Sequence, residues 1–522
     1  MDEAPGRGNP NRERQRFMAS IVSHEIRTVP APRRVGRRSR RGIAPGPALA
    51  WGAWAIMFAA AIWFVAHQGT NVPYFDDWEV VPHLTGDWRV SAEWIWSQHN
   101  EHRVPLPRLI LLTLYGLTRA DFRAGMYFNV VALAALAFAM IAVARRVRGR
   151  TSWTDAFFPV VLLHFGHQEN ILWSWQVAFV TSVVLAAIAL LVIVHSGSRL
   201  RFTGAVVAGS CVILLPLCGA NGLIIALPLA LWLGGWGTRA IFRRQAGERA
   251  AAVTAFVAAC LALVVASVYL IGLQEPAGAH YSVRRADVVR ALDQFIGNCF
   301  GSNVNGFWDH VADSCWFVLI FCGLVLLKAW FRQPEERTRA TGLLLFLAGI
   351  AGVALAVALG RPGLGSAPRY MTLASLAMLA CYWVGLLYWR EVANRRVAVG
   401  ATLGIAILAA GDVAAVVCLA TAGAALVYRW FSVRWVERLL VTLALLMLPA
   451  NVVLGYYYSE YRSQPTKAFV ESVRQGASAE DLAEKYSHGL NRVYPRREVL
   501  ESYIKMLQKA QLGPFAERTR SP

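Results

Sequence analysis

The sequence predicts an all-α fold, a polytopic bundle of transmembrane helices, and three observations carry that prediction. Of the 522 residues, 56% are hydrophobic and only 16% charged, whereas a soluble domain carries about a quarter charged residues. Mean hydropathy is +0.42, and apolar runs recur near the roughly 20 residues that a helix needs to cross the hydrocarbon core. The runs are continuous and rich in Ala, Leu and Val, which reads as helix rather than as the short alternating strands of a membrane barrel.

The net charge of +20 does not indicate nucleic acid, because of where the charge lies. Eleven arginines fall in the first 46 residues, and most other basic residues sit in short clusters between apolar runs. Lys and Arg in such loops determine which side stays cytoplasmic. Residues 1–46, rich in Pro, Gly and Arg, read as a disordered basic cytoplasmic tail. Its segment 33–41 is placed to touch anionic head groups. The first apolar run begins late and lacks a small-residue cleavage site, so it reads as a retained signal-anchor.

Taken in order, the first span is expected at 48–67, within a transmembrane domain covering 47–457. The polar stretch 68–104 and the short apolar piece 105–117 are expected to lie along the interface, since 13 residues cannot cross alone. Spans follow at 124–144, 153–166, 171–194, 203–218, 222–236 and 250–273. A longer loop, 274–311, precedes 312–331, 341–359 and 370–389. The run 397–428, with Gly411-Asp412 at its middle, reads as a hairpin of two short helices. A last span is expected at 438–457, and 458–522 as a small outer helical tail. The total is about thirteen spans. With the N-terminus inside, the basic loops at 145–150, 199–201, 239–249, 328–339, 390–396 and 429–438 all fall on the cytoplasmic side. The loops 68–123, 274–311 and 360–369 fall outside with the C-terminal tail. The expected location is the inner (plasma) membrane. Cysteines inside apolar runs are small hydrophobes, while Cys299 and Cys315 could meet near the outer face.

Four polar constellations sit on that outer side. Asp76-Asp77-x-Glu79 places three carboxylates in four residues just after the first span. They read either as a solvated loop start or as a general base or metal ligand within reach of a lipid head group. Next, His99-Asn100-Glu101-His102-Arg103 puts two histidines three apart, which on a helix would present a metal face. Hydrogen bonding to a polar substrate is the other use, with Arg103 or Arg108 available to an anion. Glu169 and Asn170, with Gln176, lie where a helix re-enters the membrane; so many polar groups there suggest a lined cavity. Arg361 and Arg369, followed by Tyr370, flank a Gly- and Ser-rich loop; they read as snorkelling arginines or as a fork for phosphate oxygens.

Together these residues resemble the GT-C superfamily of membrane glycosyltransferases, which includes protein O-mannosyltransferases, lipid A aminoarabinose transferases and RgtA-like galacturonosyltransferases. The acidic motif Asp76-Asp77-x-Glu79, the interfacial first loop, the many spans and the outer tail carry the resemblance, which covers most of 48–457. It implies a polyprenyl-phosphate-linked sugar donor and an envelope glycan, lipid or protein acceptor. Asp77, or its neighbour Asp76, would be the general base of an inverting transfer. Arg361, Arg369 or Arg103 would stabilise the leaving phosphate, with Glu79 and the histidines as acceptor or metal contacts. A divalent metal ion is left open, since some members of the superfamily need one and others do not.

Two other classes compete. A lipid-linked sugar flippase or transporter would place polar residues near mid-membrane, commonly with internal repeats; no repeat is evident here. A non-catalytic envelope assembly protein would not depend on the acidic pair.

Overall fold

The computed structural model describes residues 45–197, 199–243, 247–274, 284–301, 308–361, 363–388 and 435–519. The expected hairpin at 397–428 lies outside these residues, as do almost all of the basic N-terminal segment and parts of the 274–311 loop.

The long apolar runs form helices. In chain order the elements are α1 (Pro45–Gln68), α2 (Val81–Leu84), α3 (Ala92–Trp96), α4 (Pro105–Leu117), α5 (Ala124–Arg148), α6 (Phe157–Leu163), α7 (Gln168–Leu172), α8 (Val177–Ser196) and α9 (Phe202–Leu214). They continue as α10 (Ala220–Phe242), α11 (Arg249–Leu270), α12 (Arg285–Gly297), α13 (Trp308–Arg332), α14 (Arg337–Gly360), α15 (Met371–Leu387), α16 (Trp435–Arg474), α17 (Ala479–Tyr486) and α18 (Arg497–Ala510). Two short strands, β1 (Gln98–His99) and β2 (His102–Arg103), pair antiparallel between α3 and α4. Among the described residues, nine helices are long and apolar enough to cross a membrane: α1, α5, α8, α10, α11, α13, α14, α15 and α16. The protein is therefore an all-α multi-pass membrane protein.

Two expected spans take another form. Residues 153–166 are not one helix: α6 stops at Leu163, His164 is extended (ψ 157°), and a 3-10 turn leads into α7. Seven residues of α-helix rise only about 10 Å, so the segment is not one unbroken crossing helix. Backbone broken at membrane depth is tolerated only when protein encloses it, and the segment around His164 is buried throughout. Gly455 of α16 makes the enclosure possible, since a Cβ there would stand 2.3 Å from the Phe165 carbonyl. Similarly, 203–218 is a 13-residue helix followed by a 3-10 turn at Leu215–Cys218.

Side-chain contacts sort the connecting segments into two groups, one at each face. On one face, Gln98 bonds to Gln274, Arg361 pairs with Glu101, Asn170 bonds to the Arg369 carbonyl, and Asn298 to that of Gly365. On the other, Arg148 pairs with Glu437, Tyr388 donates to Glu336, and Arg199 pairs with Glu248. The segments expected to share a side therefore do meet.

The tail departs from expectation. No break occurs near 458, because α16 runs unbroken for 40 residues, about 60 Å at 1.5 Å per residue. Its far end carries α17 and α18 back onto the loop between α1 and α5. Trp78, Val81, Leu111 and Phe122 of the loop bury with Phe469, Tyr486, Leu500 and Ile504 of the tail in one hydrophobic cluster. The described residues from Pro45 onward form one compact unit. Cys299 and Cys315 are neighbouring buried free thiols.

Candidate functional site

The acidic motif folds as a 3-10 turn, Phe75–Val80. In that geometry side chains three apart eclipse one another, so Asp76 and Glu79 share one side while Asp77 and Val80 share the other. The two neighbours therefore part ways. Asp77 is 1% exposed, and its Oδ2 accepts the Tyr74 N–H at 3.3 Å, capping the turn. Burial pushes the Asp77 carboxyl well above its ordinary range, against the Tyr74 N–H, which pulls it down. Asp76 and Glu79 remain half-exposed.

His99 reaches this pair from β1. The expected helical His pair does not form: Asn100 turns the chain with φ +49°, and His99 and His102 become cross-strand partners. Residue 100 is an asparagine, one of the few types other than glycine that tolerate that backbone. His99 Nδ1 lies 2.8 Å from Glu79 Oε2 and Nε2 lies 3.6 Å from Asp76 Oδ1, with the ring 4.8 Å from that of Trp175. Burial lowers His99, but hydrogen bonds and charge from Asp76 and Glu79 overcome it and lift the imidazole to about 9. His102 goes the other way, to about 4, through burial and the neighbouring His99 charge.

Asp76, Glu79 and His99 each turn one ligand atom into a space where these atoms lie within 4.8 Å of one another. Two carboxylates and an imidazole form a donor set that suits a divalent ion such as zinc or manganese, so the residues fit the metal that the sequence left open.

The remaining expected residues divide in the same way. Arg361, at the end of α14, forms an ion pair with Glu101 at the hairpin tip, joining two motifs separated by 260 positions. Burial lowers Arg361, but Tyr370 and Glu101 more than offset it and raise it. Glu101 is lowered, since Arg361 and His102 outweigh its burial. Arg103 is not available to an anion: its side chain donates to the carbonyls of Tyr269, Trp96 and Ile271. That is a correction to the anion-binding expectation. Arg108 spends Nη1 on the carbonyls of Trp94 and Ser97, while its Nε is buried without a hydrogen-bond partner. Asn170 spends its amide on the Arg369 carbonyl at 3.0 Å. Tyr370 is 4% exposed, leaving Arg369, whose Nε is buried without a hydrogen-bond partner.

Beside the acidic turn, Glu169 pairs with Arg462 at 2.9 Å. That guanidinium lies 4.9 Å from the Tyr74 ring and 5.0 Å from Trp173. Arg492 stands 5.3 Å over Phe75. The sequence reading missed both arginines because they belong to the tail. The signal was the aromatic run Tyr456-Tyr457-Tyr458 ahead of Tyr461-Arg462, which marks an interface rather than a plain polar tail.

No protein-family model matches this sequence, and comparison with curated proteins finds no significant relative.

Proposed function

We propose that this chain is a GT-C-type membrane glycosyltransferase that moves a sugar from a polyprenyl-phosphate donor to an envelope glycan, lipid or protein acceptor. The reading puts the reaction at the extracytoplasmic face of the plasma membrane, since the basic connecting loops are the segments expected to stay on the cytoplasmic side. It keeps about thirteen spans by counting the two shortened segments and the 397–428 hairpin.

One observation carries it: the half-exposed Asp76 carboxylate faces His99, which Glu79 holds from its other ring nitrogen, where the first loop and the tail pack together. Asp76, rather than the buried Asp77, takes the role of base. The acceptor hydroxyl oxygen attacks the anomeric carbon while Asp76 accepts its proton. The bond from that carbon to the phosphate oxygen breaks on the opposite side, its electron pair leaves with polyprenyl phosphate, and the centre inverts. His99 orients Asp76, and Arg369 and Arg361 supply positive charge for the leaving group. A divalent ion on Asp76, Glu79 and His99 would add to that charge.

The test is transfer from a polyprenyl-phosphate sugar in matched proteoliposomes. Asp76→Asn loses about 100-fold or more of the rate, the size expected for a lost general base. Unchanged transfer by that variant at normal expression overturns the reading, and movement of the lipid-linked sugar without glycoside formation replaces it with a flippase.

A further inference from the structure

A cavity of about 550 Å³ opens beside the acidic turn, lined among others by Phe75, Gln168, Glu169, Tyr461, Arg462 and Arg492. That volume falls within the usual range for small-molecule sites.

Its charges are unbalanced. Arg462 is satisfied by Glu169 at 2.9 Å and fixed between two aromatic rings. Arg492 rests over the Phe75 ring and has no ion-pair partner among the described residues. Two cations therefore face one carboxylate, and the spare guanidinium calls for an oxyanion. The site also offers acceptors without donors. Gln168 is 4% exposed, and its Oε1 is buried without a hydrogen-bond partner, as is Oε2 of Glu169. Buried acceptors of this kind want hydroxyl protons. Phe75 and Tyr461 present aromatic faces, whose negative π surface attracts polarised C–H groups. Hydroxyls, a C–H face and one oxyanion together describe a sugar acid.

We propose that this cavity binds an acidic sugar, a pyranose bearing a carboxylate or a phosphate. Its anion sits on Arg492, its hydroxyls on Gln168 and Glu169, and its ring face on the aromatic wall. Resting on the transferase reading, this is the acceptor end of the site, because Phe75 of the wall directly precedes Asp76. Arg492 is exposed on the tail rather than carried by a span, so the anion arrives from water.

Saturation-transfer NMR on the detergent-solubilised full chain tests it with glucuronate, glucose 1-phosphate, glucose, inorganic phosphate and farnesyl phosphate as probes. Glucuronate or glucose 1-phosphate binds saturably, and Arg492→Ala weakens that binding about tenfold, the scale of one charge-assisted contact. Arg492→Lys, which keeps a cation beside the Phe75 ring, recovers part of it. No binding by either acidic sugar, or binding indifferent to Arg492→Ala, overturns the proposal. Inorganic phosphate binding as tightly as glucose 1-phosphate overturns it in favour of a bare anion site. Farnesyl phosphate displacing the sugar acid overturns it in favour of a donor site. Asp76→Asn keeps the binding, so loss of transfer chemistry and loss of this site are read separately.

Discussion

The Phe75 N–H donates to the Val493 carbonyl at 2.8 Å, tying the residue before the acidic cluster to the C-terminal tail. Phe75 holds φ +46°, a left-handed backbone that is a genuine outlier for a bulky side chain. Such a conformation costs roughly 1–3 kcal/mol and persists only where its surroundings over-determine it. Here the surroundings are the Val493 carbonyl, the Arg492 guanidinium over the ring, and Tyr74 and Trp173 beside it. The tail therefore sets the geometry from which Asp76 and Glu79 project.

Loosening the tail should consequently loosen the cluster while leaving the bundle intact. Ile504 is fully buried in the core shared by tail and first loop, and Ile504→Ala should cost about 2–5 kcal/mol of local stability. Hydrogen exchange is the check. Amides of 75–80 exchange faster in the variant, while those of α5 and α8 do not. Equal protection at 75–80 would show that the loop holds its shape without the tail.

Asp77 should tolerate an amide where Asp76 does not. Its burial favours the neutral acid, which asparagine imitates, and an amide oxygen can still accept the Tyr74 N–H. Asp77→Asn keeps transfer activity and the unfolding midpoint within normal scatter. Asp77→Ala removes the cap on the turn and costs about 1 kcal/mol, read as a lower midpoint. A well-folded Asp77→Asn variant without transfer activity would return the proposed base to Asp77.

The two hairpin histidines titrate in opposite directions, and each makes the stability of the first loop depend on pH. His99 rises to about 9 from an ordinary 6.5, so the folded form holds a proton that the unfolded chain has released. Its stabilisation is complete below 6.5 and is lost as pH climbs to about 9. His102 falls to about 4, so stability rises as pH climbs from 4 to 6.5. Their joint contribution peaks near pH 6.5. Thermal unfolding in the presence of chelator should show His99→Gln flattening the alkaline limb and His102→Gln the acid limb. A His99→Gln profile that overlays the parent would remove the ion triad from the account.

The span helices were legible in the sequence because apolar length is a local property. The break at His164 was partly legible too: His164-Phe165-Gly166-His167 interrupts the apolar run, but its composition alone still passes for a span. The roles of Arg103 and Arg108 were not legible. Residue type announces a cation, whereas its partners are helix-end carbonyls that only folding brings near, at Trp94 and Ile271. Which of Asp76 and Asp77 would stay exposed was not legible for a related reason. It turns on a 3-10 rather than an α turn, and that is fixed by Val493 from the far end of the chain. Arg492 stayed hidden on the same account.

At the opposite face, Arg148 is buried between two carboxylates, 2.8 Å from Asp155 and 2.7 Å from Glu437, with side-chain exposures of 2%, 0% and 1%. The Tyr382 hydroxyl joins the group, donating to Asp155 at 2.8 Å and accepting from Arg148 at 3.0 Å. The cluster thus fastens the C-terminal ends of α5 and α15 to the N-terminal end of α16, and α16 is the helix that carries the tail. Removing the shared cation leaves two buried carboxylates facing each other. Arg148→Met should therefore cost about 3–5 kcal/mol, the usual cost of breaking a buried pair from one side. Asp155→Asn should cost less, because Arg148 keeps Glu437 and the amide oxygen still accepts from Tyr382. Unfolding midpoints in matched detergent order the variants as parent, then Asp155→Asn, then Arg148→Met. Adding Asp155→Asn and Glu437→Gln to Arg148→Met relieves the stranded charges and should recover part of the loss. If the triple variant is no more stable than Arg148→Met alone, the penalty comes from lost packing around the arginine stem and not from unpaired charge.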